Sequence, residues 1–105
     1  MSKTWKAVEL RICRKYFGSE RSGPVGKEGP DCDMTSFPFA VQIKHGEKFP
    51  QWLEDDMQQA VDDAWEGYIP VLILHPLGAK DDDCYVVMRL GTFKEEIIDR
   101  LDKDD

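Results

Sequence analysis

Asp31-Cys32-Asp33-Met34-Thr35-Ser36-Phe37-Pro38-Phe39-Ala40-Val41-Gln42-Ile43-Lys44 is the stretch on which the reading of this 105-residue chain turns. Phe39, Val41 and Ile43 alternate with Ala40, Gln42 and Lys44, the period of two expected of a half-buried strand. Asp31 to Thr35 reads as a second short strand, and Ser36-Phe37-Pro38 as the turn between them. A turn centred near Phe37-Pro38 sets Asp33 near Gln42 and Asp31 near Lys44 on one face of a β-hairpin.

Upstream, Trp5, Val8, Ile12, Cys13 and Tyr16 recur at helical spacing from Thr4 to Phe17, and Gly18 stands where a C-terminal cap belongs. Ser19 to Pro30 is rich in glycine, proline and charge and reads as an exposed loop. Downstream, Pro50 and Gln51 open a second helix with a stripe of Leu53, Met57, Ala60, Val61 and Ala64, and Gly67 follows its last turn. Val71 to His75, ended by Pro76, has the continuous apolar pattern of a strand buried on both faces. Cys84 to Leu90 follows the polar turn Gly78 to Asp83 as another strand, and Thr92 to Leu101 caps as a short helix with Glu95 and Glu96 in its first turn. The expected order is α-β-β-α-β-β-α in an α/β fold. The length suits one domain over 1–101, with 102–105 as an acidic tail.

No apolar run is long enough for a membrane span, and Met1 to Lys6 lacks the pattern of a secretory signal, so a cytoplasmic location is expected. Cys13, Cys32 and Cys84 form no CxxC pair and are read as buried thiols. A net charge of -7 argues against a generic nucleic-acid binder, but its distribution is uneven. Residues 1–50 carry nine Lys/Arg against six Asp/Glu, and residues 51–105 five against fifteen, so one end can face phosphate while the other repels it.

Two features, one on the first helix and one on the hairpin, add chemistry to this frame. Projected at about 100° per residue, Glu9 falls near Trp5, Ile12 and Tyr16 on the apolar stripe of the first helix. A carboxylate there costs several kcal/mol unless it is paired, hydrogen-bonded or bound to a cation; the plainer alternative sets it at the stripe's rim, paired with a local arginine. The hairpin then brings Asp31, Asp33, Gln42 and Lys44 to one face. Oxygen ligands for Mg²⁺ and a cation beside an attacking water are what phosphodiester hydrolysis requires.

The runs Gly29-Pro30-Asp31 and Phe39-Ala40-Val41-Gln42-Ile43-Lys44 resemble the PD…(D/E)xK signature of a nuclease superfamily. Trp52-Leu53, Gln59-Ala60, Gly67, Pro70-Val71 with His75, and Val86 to Leu90 extend the likeness to phage proteins related to Holliday-junction resolvases. The resemblance implies a restriction-endonuclease-like core with a central mixed β-sheet flanked by helices, in a homodimer acting on branched DNA such as four-way junctions in the bacterial host cytosol. It implies that Glu9, Asp31 and Gln42 line a metal site for Mg²⁺ or Mn²⁺, with the Ile43 carbonyl a further ligand and Lys44 the catalytic lysine. Gln42 departs from the pattern, since an amide offers one neutral oxygen where Glu or Asp is usual; on the hairpin register Asp33 supplies the missing charge.

Candidates for DNA contact are Arg11, Arg14 and Lys15 on the first helix, Arg21, Lys27 and Lys48 in loops, and His45 after Lys44. Gln59 matches the family pattern on the second helix but lies off its apolar stripe. Asp81-Asp82-Asp83 lacks the spacing of a calcium loop and reads as a solvated turn. Two readings compete with a junction-selective endonuclease: a catalytically silent nuclease fold that binds DNA or serves as a scaffold, and a nuclease acting on other DNA forms.

Overall fold

The computed structural model describes residues 2–22 and 29–103, with side chains over 5–22 and 29–101. Lys27 and the end of the acidic tail, 104–105, lie outside the described residues. The chain forms two compact units, Met1–Glu47 and Lys48–Asp105.

The first unit begins with α1 (Ser2–Phe17), whose last turn carries Arg14 and Lys15, where cations favour the helix dipole. Gly18 ends it at φ +61, a left-handed conformation that glycine adopts without a Cβ clash, and the Ser19 N–H closes onto the Cys13 carbonyl at 2.9 Å. Cys13 and Cys32 are fully buried, as expected, but they are joined to each other by a disulfide and are not separate thiols. That bond fixes the C-terminal part of α1 against the segment containing Asp31.

Segment 31–33 is flanked on two sides. Arg21 and Cys32 form an antiparallel bridge, with the Ser22 N–H on the Asp31 carbonyl at 2.9 Å and the Asp33 N–H on the Glu20 carbonyl at 2.8 Å. On the other side the Asp31 N–H reaches the Val41 carbonyl at 2.7 Å. The expected hairpin strands do not form. Asp33 instead caps a single 3₁₀ turn, Met34–Ser36, by accepting from the Thr35 N–H at 3.0 Å and from the Thr35 hydroxyl. Short Asp, Ser and Thr side chains thus capture the backbone groups a ladder would use. Ser36 adds a 2.6 Å bond from its hydroxyl to the Phe39 carbonyl, across a cis peptide between Phe37 and Pro38. The period of two read from 39–44 does survive as burial: Phe39, Val41 and Ile43 are half-buried, while Ala40, Gln42 and Lys44 are exposed. Phe39 stacks edge-on to Phe17 at 5.9 Å, anchoring this segment to the end of α1.

In the second unit α2 (Gln51–Asp63) follows Pro50, and its stripe faces inward as expected, with Met57 buried and Leu53, Ala60, Val61 and Ala64 half-buried. β1 (Leu72–Leu74) and β2 (Tyr85–Val87) pair antiparallel in the register Leu72–Val87, Ile73–Val86 and Leu74–Tyr85. β1 packs on α2, and Arg89 ties the chain after β2 to α2 through Glu54 at 2.8 Å and Gln58 at 3.2 Å. α3 (Leu90–Phe93), a π-helical segment (Lys94–Ile98) and α4 (Asp99–Lys103) then run on in succession, with Ile98 buried.

This architecture overturns the expected central mixed β-sheet flanked by helices. The described residues contain one two-stranded antiparallel sheet, and the order α-β-β-α-β-β-α loses its first two strands. The strand at 71–75 is also not covered on both faces, because Ile73 and its partner Val86 are 56% and 65% exposed. A sheet needs several paired strands to bury both sides of each one, and this one has two. Among the described residues, no helix is long and apolar enough to cross a membrane.

Candidate functional site

Of the candidate residues of the first unit, Asp31 is tied by hydrogen bonds to the segment 41–43, and Glu9 is tied to Arg21. Glu9 lies on α1 one turn before Cys13, so the helical period places both on the face that the disulfide draws toward Cys32. Glu9 is only 7% exposed, and its Oε1 accepts from Arg21 Nε at 3.1 Å. Both readings of the sequence hold a part here: the carboxylate is buried, and it is paired with an arginine. Arg21 is itself positioned by its bridge to Cys32 and by the Trp5 ring, 5.8 Å from its guanidinium carbon.

Asp31 is half-buried, and its Oδ2 accepts from the Ile43 N–H at 2.6 Å. The carboxylate thus occupies the place of the next backbone rung after the bond to Val41, and it holds the segment bearing Gln42, Ile43 and Lys44 against residue 31. Gln42 Nε2 donates to the Gly29 carbonyl at 3.2 Å. This gives a physical reason for an amide at a position where the resemblance expects a carboxylate: a glutamate has no donor for that carbonyl and would set negative charge against its lone pairs. Lys44 is exposed, two residues along on the same side of the extended segment, and His45 follows it, also exposed.

Asp33 is placed differently from the register expected of a hairpin. Its carboxylate turns onto Thr35, not toward Gln42, and the hydrogen bond from the Thr35 hydroxyl holds it below the usual carboxylate range. A folded-state value lowered in this way stabilises the turn above the ordinary carboxylate range, and the contribution disappears as pH falls through the lowered value. Asp33→Ala is expected to lower the midpoint of thermal unfolding at neutral pH by roughly 4–8 °C, the usual effect of losing one cap in a domain of this size. The difference from wild type should shrink on acidification, which a series of melts followed by circular dichroism measures.

The basic candidates are dispersed. Arg14 is held by Glu20 through Nε at 2.9 Å and Nη2 at 2.7 Å, a hydrogen-bonded pair that raises the arginine and lowers the glutamate from their ordinary values. Lys15 lies over the Tyr16 ring at 5.4 Å, and Arg11 is exposed. Lys48 and Gln59, both exposed, belong to the second unit. The sequence reading missed the link between Cys13 and Cys32, and it did not identify Arg21 as the arginine paired with Glu9. Neither has a local signal, since each joins residues at least twelve apart in the chain.

Among the described residues, no three His, Cys, Asp or Glu side chains are grouped so as to hold a metal ion. By residue type, Glu9 and Asp31 carry carboxylates and Gln42 and Ile43 carry neutral oxygens, but Glu9 is engaged by Arg21 and Asp31 by the Ile43 N–H. Mg²⁺ is commonly held by one or two carboxylates, with water and substrate phosphate completing its shell. Comparison of the chain with family models, curated proteins and solved structures finds no match.

Proposed function

We propose that this chain is a metal-dependent DNA endonuclease whose site is formed by Glu9, Asp31, Gln42, Ile43 and Lys44. The observation that carries the reading is the anchoring of residue 31. The disulfide ties the helix bearing Glu9 to Cys32, and the Asp31 carboxylate closes on the Ile43 N–H, so that one carboxylate is held against the segment that bears Lys44.

In this reading Glu9 and Asp31 would hold Mg²⁺ or Mn²⁺, with the Gln42 amide oxygen and the Ile43 carbonyl as neutral donors. A bound cation supplies Lewis acidity at the phosphate and acidifies a water. The protein's own part is to exclude water around Glu9, to fix residue 31 against 41–43, and to present the Lys44 ammonium to the attacking water or the phosphate. Exposed Arg11, Lys15 and His45 in the same unit offer charge and hydrogen bonds to the DNA backbone, which recognises shape more than sequence. Branched DNA, such as a four-way junction, is the proposed substrate class, and two symmetric incisions call for a two-fold homodimer.

The test is cleavage of labelled four-way, flapped and linear duplex DNA side by side, with and without Mg²⁺ or Mn²⁺. The expected result is metal-dependent incision of the four-way junction in preference to linear duplex. Equal cleavage of all three would leave a nuclease without junction selectivity. Binding without cleavage at any metal concentration would favour the silent scaffold, a reading that Gln42 supports by removing one negative charge from the usual ligand set.

A further inference from the structure

We propose that the cleft along residues 30–40 of the first unit binds a small aromatic amine, its ring against Phe37 and its ammonium at Asp33; the site uses none of the residues assigned to the nuclease centre and does not depend on that reading. The cleft measures about 500 Å³ and its lining lies within the first unit, a size that suits a small molecule. Pro30, Met34, Phe37, Pro38 and Phe39 supply its apolar surface. Met34 is 92% and Phe37 86% exposed, so two large apolar side chains of the lining stand in water. The hydroxyls are engaged within the unit: Ser22 Oγ donates to the Pro30 carbonyl at 2.7 Å and Ser36 Oγ to the Phe39 carbonyl at 2.6 Å. Among the described side chains that line the cleft, what remains for a ligand is apolar surface and one charge, that of Asp33.

Asp33 gives the cleft its sign. Both bonds from Thr35 fall on Oδ1, and Oδ2 takes neither. The same bonds hold the carboxyl below its usual range, so it is charged at neutral pH. A carboxylate on an apolar wall attracts a cation and repels an anion, which disfavours a phosphate or a carboxylic acid here. Phenyl rings and a methionine sulfur favour an aromatic partner, and a ring face also attracts an ammonium. An aromatic body carrying one ammonium satisfies both demands. The walls are set before a ligand arrives: Cys32 is held by the disulfide, Phe39 packs on Phe17, and the Asp33 cap fixes the turn Met34–Ser36.

The experiment follows the backbone amides of the full chain by two-dimensional NMR at neutral pH while phenethylamine, phenethyl alcohol and phenylacetate are titrated in turn. These probes share a ring and differ in charge. Phenethylamine should shift amides within 30–40 and bind roughly fivefold more tightly than the alcohol, the scale of one partly exposed ion pair, with phenylacetate the weakest. Phe37→Ala changes an exposed position, so it should keep the fold and lose roughly tenfold in amine affinity. Asp33→Asn keeps an oxygen for Thr35 and removes the charge, so the amine and the alcohol should then bind alike. Equal binding of amine and alcohol by wild type overturns the proposal, as does unchanged amine affinity in folded Phe37→Ala or a folded Asp33→Asn that still prefers the amine. If Asp33→Asn fails to fold, the probe series on wild type and Phe37→Ala carries the test. Absence of shifts within 30–40 at any amine concentration also overturns it. Amides of 30–40 that move with protein concentration alone would put a second copy of the chain in the cleft and overturn the small-molecule site.

Discussion

If the chain is the proposed endonuclease, Lys44→Ala should lose metal-dependent DNA cleavage by about 10²–10⁴-fold, the range for removing a group that handles a proton or charge at the reacting centre. The fold should be untouched. Lys44 is exposed, and the segment that carries it is held by backbone and Asp31 bonds at 41 and 43 and by Phe39 against Phe17, none of which involves the lysine side chain. Thermal melts within error of wild type together with lost cleavage would place Lys44 in the site. A folded Lys44→Ala protein that cuts DNA at near-wild-type rate would refute the assignment of the active site.

On the proposed function, Asp31→Asn should reduce cleavage by roughly 10³-fold, because losing a carboxylate ligand would remove several kcal/mol of transition-state stabilisation. The substitution is chosen for what it keeps. Asparagine retains an oxygen to accept from the Ile43 N–H, so the bond that holds residue 31 to the 41–43 segment persists while the negative charge goes. Raising Mn²⁺ should recover part of the rate if the loss lies in metal affinity, and a metal titration of initial rates at constant DNA measures this. Asp31→Ala, by contrast, removes the acceptor as well and should also lower stability, since it leaves a half-buried N–H without that partner. If Asp31→Asn cleaves normally, Asp31 serves the backbone alone and the proposed site falls.

The contrast between Asp31 and Asp33 shows how far sequence reading reaches. The two residues share strand parity and charge, and a hairpin register treats them as equivalents. Asp31 is flanked by chain on both sides, so its carboxylate is drawn into a tertiary contact twelve residues away. Asp33 has Thr35 two residues on, and the local bond is reached without closing any loop. Short-range capture of a carboxylate is a matter of sequence, but which of two neighbouring aspartates escapes it depends on what the rest of the chain places beside each.

By itself the sequence determined the elements that rest on local periodicity and on glycine. α1 and its end at Gly18, the inward stripe of α2, and the in-out alternation of 39–44 all follow from spacing, because a side chain's direction within a helix or extended segment is set by its neighbours in the chain. It also placed Glu9 on the buried face of α1. Only the tertiary structure decided that Cys13 meets Cys32, that Arg21 pairs with Glu9, and that segments 31–35 and 39–44 do not become strands of a central sheet. Those outcomes depend on groups distant in sequence competing for the same backbone N–H, carboxylate or sulfur, and a one-dimensional pattern carries no information about which competitor arrives.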